Sequence, residues 1–247
     1  ERFSVKCNAL GEDSCGQLRN IQAFNNMSHT GGFTHLLQHE AGLLTLQSWD
    51  GHRFKLSSAF TFRTGSQKAC RILLGDFDGD GKLEALACHG FHLRSELALF
   101  QTVADMFSGA GPKQRIESAG SSRNIAPVAV ADFDNDGDLD ALAVESWTDP
   151  AGSAQARLRV LENNGRGRLA MSTGPTGCKR TLSPGHRTDK MVMGFVGVVA
   201  DVDRDGRMDV AVNDAGSRVM LFKNASPRRP WICVSAQGTR SNRGAIG

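Results

Sequence analysis

Half of the acidic residues in this 247-residue chain, 13 of 26, fall in three nine-residue stretches. These are DFDGDGKLE at 76–84, DFDNDGDLD at 132–140 and DVDRDGRMD at 201–209. Carboxylates packed this closely repel one another unless a cation neutralises them, and their spacing says which cation. Positions 1, 3 and 5 are acidic in every copy: Asp76, Asp78 and Asp80; Asp132, Asp134 and Asp136; Asp201, Asp203 and Asp205. Position 6 is glycine each time (Gly81, Gly137, Gly206), which permits the positive φ that folds the loop back on itself. Folding back brings in the main-chain carbonyl of position 7, supplied by Lys82, Asp138 or Arg207, and position 9 adds Glu84, Asp140 or Asp209. Three monodentate carboxylates, a carbonyl and a last carboxylate binding through one or two oxygens give six or seven oxygen ligands, the shell calcium takes. Magnesium prefers fewer protein ligands and keeps its waters. No His or Cys lies inside a loop, which speaks against zinc and copper. Three calcium sites are therefore expected.

The elements that position these loops follow from their flanks. An EF-hand shares the first six positions but needs a bidentate Glu at position 12 between two helices. Position 12 here is Ala87, Ala143 or Val212, and the flanking runs VAVAD and ALAVES alternate or are short and apolar, as strands are. The units are strand, calcium loop, strand. Loop starts are 56 and 69 residues apart, a period that fits one small sheet per repeat. Four strands can be read in the first repeat (RILLGD, LEALACHG, SELALFQTV, KQRIES). The second reads VAVAD, LDALAVES, ARLRVLEN and RLAMSTG, and the third GFVGVVAD, MDVAVND, SRVMLFKN and WICVSA. HLLQHE, GLLTLQSWD and HRFKLSSAF before them suggest a further sheet whose acidic loop is degenerate. Four antiparallel strands make a propeller blade, so the expectation is an all-β propeller. Its blades would fall at 1–68, 69–120, 121–190 and 191–230, in a larger ring that segments outside this sequence complete or that is incomplete here, with 231–247 as a last strand or the start of another segment.

Composition bounds the rest. With 40% hydrophobic and 22% charged residues the chain is ordinarily globular. Its longest apolar run, MVMGFVGVVA at 191–200, is half the length of a membrane span. The chain opens at Glu1 without a signal-like segment and is expected to be a processed piece of something longer. Net charge is +3, but residues 157–247 hold 16 Lys and Arg against 7 acids. A calcium-loaded C-terminal half would be basic, and Arg166 with Arg168, Lys179 with Arg180, Arg228 with Arg229, and Arg240 with Arg243 are candidate contacts for an anionic polymer or acidic partner. Six cysteines form an even set, with Cys70–Cys88 across the first loop, Cys7–Cys15 and Cys178–Cys233 the favoured pairing among fifteen. Sequons at Asn26 and Asn224 fit a secreted glycoprotein, which together with disulfides and calcium points to an extracellular location.

The loops, each followed by LEALA, LDALAV or MDVAV, resemble the FG-GAP and VCBS-type propeller repeats of integrin α-subunits and many secreted proteins. The terminal WICVSAQGTRSNRGAIG at 231–247 resembles the opening of the ASPIC/UnbV segment of cartilage acidic protein-like chains, which makes it a last strand or the start of an ASPIC/UnbV-like segment. The resemblance implies calcium ligation at the positions named above and a non-enzymatic role in cell adhesion, glycan or protein binding, or matrix assembly. The competing expectation is a carbohydrate-active enzyme, a lyase or hydrolase, built on the same scaffold. His35 and His39 have helical metal-pair spacing but lie in a strand-like run without the HExxH glutamate, and His89 and His92 with Arg94 have no partner fixed by spacing. Nucleic acid is not an expected partner, since loop acids interleave with the basic surface.

Overall fold

A computed structural model describes residues 20–26, 33–40, 43–49, 52, 54–61, 71–89, 96–118, 124–152, 154–172, 179–181, 196–213 and 219–232. The described residues are all-β apart from one short helix, and every strand pairing is antiparallel. Four sheets follow one another along the chain. The first is the meander β1 (Asn20–Asn26), β2 (Phe33–Glu40), β3 (Leu43–Trp49) and β4 (Phe54–Thr61). The second is β5 (Ile72–Gly75), β6 (Glu84–His89), β7 (Glu96–Phe100) and β8 (Gln114–Glu117), with α1 (Val103–Ser108) between its last two strands. The third runs β9 (Asn124–Ala131), β10 (Asp140–Thr148), β11 (Ala154–Asn163) and β12 (Leu169–Met171), and β13 (Lys179–Thr181) also pairs with β11. The fourth, among the described residues, has three strands: β14 (Val196–Ala200), β15 (Asp209–Asn213) and β16 (Val219–Phe222).

The core lies between sheets rather than within one. β9 packs against β5, β6 and β7 on one side and β14 on the other. The third sheet is thus covered on both faces, which is why β9 and β10 are almost continuously buried and lack alternation. Ile72, Leu86, Leu97, Leu99 and Met106 from the second sheet meet Ile125, Leu142, Leu161 and Leu169 from the third, and Val210 and Val212 extend the cluster into the fourth. Small residues set the spacing. A Cβ on Gly197 of β14 would lie 2.6 Å from Val128 Cγ1, so the absence of a side chain is what lets β14 approach β9. Pro127 cannot donate to the ladder, and there the register of β9 on β10 shifts, Leu142 facing Ala129 and Ala143 facing Pro127. On its other side the fourth sheet is open: Val198, Val219 and Leu221 are 67%, 73% and 58% exposed.

Several sequence expectations need correction. The strand read through Val103 stops at Phe100, because Thr102 caps α1 by accepting from Asp105 N–H and Gly109 ends it in the left-handed region (φ 78°). Trp231 and Ile232, read as the start of a fourth strand, are not in a strand, and residues 233–247 lie outside the described set. β1 and β13 were not anticipated. Cys88 is a buried thiol whose Sγ donates to Ile125 O (3.2 Å), and the register sets Arg71 opposite it, whereas the expected bridge needed Cys70 there. Cys70, Cys7, Cys15, Cys178 and Cys233 lie outside the described residues.

Candidate metal centres

Each acidic loop joins the first and second strands of its sheet, and its ninth residue is the first residue of the second strand. Gly75 pairs with Glu84, Ala131 with Asp140 and Ala200 with Asp209, so the hairpin stem closes immediately beneath the carboxylates. Within the loop one hydrogen-bond scheme recurs. The position-6 glycine N–H donates to Oδ2 of position 1: Gly81 to Asp76 (3.0 Å), Gly137 to Asp132 (3.0 Å) and Gly206 to Asp201 (2.9 Å). The position-7 N–H donates to Oδ1 of position 5: Lys82 to Asp80 (2.8 Å), Asp138 to Asp136 (3.0 Å) and Arg207 to Asp205 (3.1 Å). The position-2 N–H donates to the ninth-position carboxylate: Phe77 to Glu84 (2.6 Å), Phe133 to Asp140 (3.0 Å) and Val202 to Asp209 (3.2 Å).

The backbone makes this possible through two left-handed positions per loop. Position 6 has φ of 83°, 99° and 85° in the three copies, as its glycines foretold. Position 4 is left-handed too, at Gly79 (72°), Asn135 (59°) and Arg204 (59°), a requirement signalled only by Gly and Asn at the first two copies.

Three carboxylates converge in each loop, with one oxygen from each within 4.8 Å of the others: Asp76, Asp78 and Glu84; Asp132, Asp134 and Asp136; Asp201, Asp203 and Asp209. That spread is what a common centre about 2.3–2.6 Å from each oxygen allows. Asp76 Oδ1 is buried with no hydrogen-bond donor among the described residues, an acceptor left over for a cation. The groups can hold a metal ion, and their all-oxygen chemistry is compatible with calcium. The remaining expected ligands sit around these groups. Asp80 pairs with Lys82 Nζ (3.0 Å) and Asp205 with the Arg207 guanidinium, while Asp140 accepts main-chain N–H groups from Phe133 and Asn163. Lys82, Asp138 and Arg207, whose main-chain carbonyls are the expected position-7 ligands, have their N–H groups tied to position 5.

Electrostatics differ from loop to loop. Burial pushes the Glu84 and Asp140 carboxyls up to about 6, and neighbouring loop acids (Asp78 for the first, Asp134 and Asp136 for the second) push the same way. Burial and Asp136 also raise Asp134. Asp78 moves the other way, held down by hydrogen bonds from Lys113 Nζ (2.8 Å) and Gln101 Nε2 (2.9 Å). Asp205 is held down by Arg207. Lys223 pairs with Asp203, and Arg229 stands 3.5 Å from Asp134. The second loop has no basic residue within it and five acids, the strongest concentration of negative charge of the three.

Residues that spacing did not single out complete the sites. Asn163, at the end of β11, donates from Nδ2 to Phe77 O (2.7 Å) and Leu139 O (2.9 Å). Asn224, just after β16, donates from Nδ2 to Phe133 O (2.7 Å) and Met208 O (3.2 Å). Both Asn224 amide hydrogens are thereby engaged, and a glycan on that nitrogen would displace one of them. The side chain of Asn26 lies outside what is described. Glu145 is fully buried and bound by Arg157, Arg159 and Ser118, with Arg157 also over the Trp147 ring (5.3 Å), so it is a structural ion pair. His35 and His39 lie on strand β2 and lack the helical geometry of a metal pair, His89 ends β6, and His92, Arg94 and Asp214 lie outside the described residues. Arg166, Arg168, Arg228 and Arg229 are exposed; Arg240 and Arg243 lie outside the described residues. Among the described residues no helix is long and apolar enough to cross a membrane. Comparison of the chain with protein-family models and with curated proteins finds no match.

Proposed function

We propose that the chain is a non-enzymatic extracellular module in which calcium stiffens a propeller of small sheets, and that this module binds an acidic polysaccharide or an extracellular protein in adhesion or matrix assembly. The observation that carries the metal reading is the loop scheme itself. Three loops of different sequence adopt the same two left-handed residues and the same tethering hydrogen bonds, and each gathers three carboxylates at one point. Propeller packing is supported by the first strands β5, β9 and β14, which lie side by side as strands around a central axis would. The anionic-partner reading is supported by exposed Arg166, Arg168 and Arg228, which no described carboxylate pairs. Extracellular calcium modules commonly have dissociation constants of about 10⁻⁴ to 10⁻³ M.

The test is to titrate calcium by calorimetry and then to measure binding of the calcium-loaded protein to acidic and neutral polysaccharides across a salt series, with products checked by mass. Calcium-dependent, salt-sensitive binding to acidic chains without product is the expected result. Cleavage would make the protein an enzyme, and silence with every glycan would leave protein partners.

A further inference from the structure

The three loops are not independent hairpins. A single line of hydrogen bonds runs through all of them. Glu84 Oε2 accepts from Phe77 N–H, and the carbonyl of the same Phe77 accepts from Asn163 Nδ2 (2.7 Å). Asn163 in turn donates its own N–H to Asp140 Oδ1 (2.8 Å), whose Oδ2 accepts from Phe133 N–H (3.0 Å). The Phe133 carbonyl accepts from Asn224 Nδ2 (2.7 Å), and Asn224 N–H donates to Asp209 Oδ1 (2.8 Å), whose Oδ2 accepts from Val202 N–H (3.2 Å). Asp140 and Asp209 thus each touch their own loop with one oxygen and a strand-end N–H of their own sheet with the other, whereas Glu84 Oε1 accepts from the Gln101 side chain (3.3 Å). In the second and third loops that strand-end residue is an Asn that reaches back to the preceding loop.

We infer that the side-chain amides of Asn163 and Asn224, aided by Asn135, couple cation binding in each loop to cation binding in the next. The inference rests on the calcium reading above. Geometry fixes the direction of both amides: each Nδ2 faces two carbonyl oxygens, so only the NH₂ end can point there. The amide bridges the position-8 carbonyl of its own loop (Leu139, Met208) and the position-2 carbonyl of the loop before (Phe77, Phe133). A cation that fixes the ninth-position carboxylate fixes the Asn backbone bonded to it, and through the side chain the neighbouring loop. Between the second and third loops a return link exists, since Asn135 Nδ2 donates to Gly206 O (2.7 Å). In the second sheet the corresponding position is Thr102, which caps α1 instead, so the line starts at the first loop.

Coupling of this kind is reciprocal and is measured as a change in affinity at one site when the other is removed. The joint between the second and third loops offers a direct reporter, because the Trp231 indole lies against Gly206 of the third loop. Terbium, which shares calcium's preference for oxygen, emits when excited through a nearby indole and so reads occupancy of that loop. Asp136→Ala removes a second-loop ligand that does not touch the third loop. In the otherwise native chain this substitution is expected to raise the terbium concentration needed to half-fill the third loop by about five-fold or more. In a chain that also carries Asn224→Ala and Asn135→Gly the shift is expected to vanish, the glycine being chosen because residue 135 is left-handed. Asn224→Ser, which keeps one donor, serves if the alanine variant does not fold, and there the shift is expected to shrink. A shift of equal size with and without the amides overturns the inference, as does the absence of any shift in a native chain that binds calcium. A native chain that binds no calcium by calorimetry overturns the calcium reading itself, and the coupling with it.

Discussion

Arg204 sits at φ 59°, where the first loop has Gly79 and the second Asn135. A left-handed L-residue costs about 1–2 kcal/mol, and Asn tolerates it better than Arg. At position 6 the same conformation is met by glycine throughout, and around Gly137 (φ 99°) nothing lies within 4 Å of where a Cβ would be. Gly137→Ala therefore isolates the backbone term and should destabilise the protein by about 1–2 kcal/mol in denaturant melts. The position-6 requirement was legible because glycine is invariant across the three copies. The position-4 requirement was hidden because one copy meets it at a conformational cost. Glu145 makes a second residue-level prediction. Burial opposes its ionisation, but hydrogen bonds from Arg157, Ser118 and Arg159 outweigh burial and hold its carboxyl below the usual range. With a folded pKa below the unfolded one, this group's contribution is complete above the ordinary glutamate pKa. It is lost as pH falls below about 4.5 and through the folded value. Glu145→Gln should flatten that part of the acid-unfolding curve, read by circular dichroism against pH, while lowering stability at neutral pH by stranding two half-buried arginines.

At the scale of elements, the strands that flank the loops followed from apolar runs bounded by the acidic stretches, and β5 to β7, β9 to β11 and β14 to β16 lie where those runs are. The helix α1 was missed because six residues are too few to show a helical period, although Thr102 and Gly109 mark both its ends. The Asn joints were missed for another reason: Asn163 and Phe77 are 86 residues apart, Asn224 and Phe133 are 91, and no local pattern announces a contact at such range. Inter-sheet spacing is equally non-local. Gly197 is one glycine among 28, and only its approach to Val128 gives it a role. Gly197→Ala should force β14 away from β9 or strain Val128, at about 1–3 kcal/mol of stability, and the companion Val128→Ala should restore part of the loss in a double-mutant cycle.

For the molecule as a whole, cations that bind only the folded chain add stability by mass action, about 2.7 kcal/mol for a site at a hundredfold excess over its dissociation constant. Asp136→Ala should therefore lower Tm in millimolar calcium and leave it nearly unchanged in excess chelator. An equal drop in both conditions would mean that Asp136 serves the fold without serving a cation. The meandering order of the sheets has a kinetic side. Apart from β13, every strand pairs with its neighbour in sequence, so each sheet closes through short loops and can form as its residues leave the ribosome. The amide joints cannot form so early. The first loop waits for Asn163 and the second for Asn224, so sheets should appear quickly in refolding and the loops should lock late, in order from the N-terminal side.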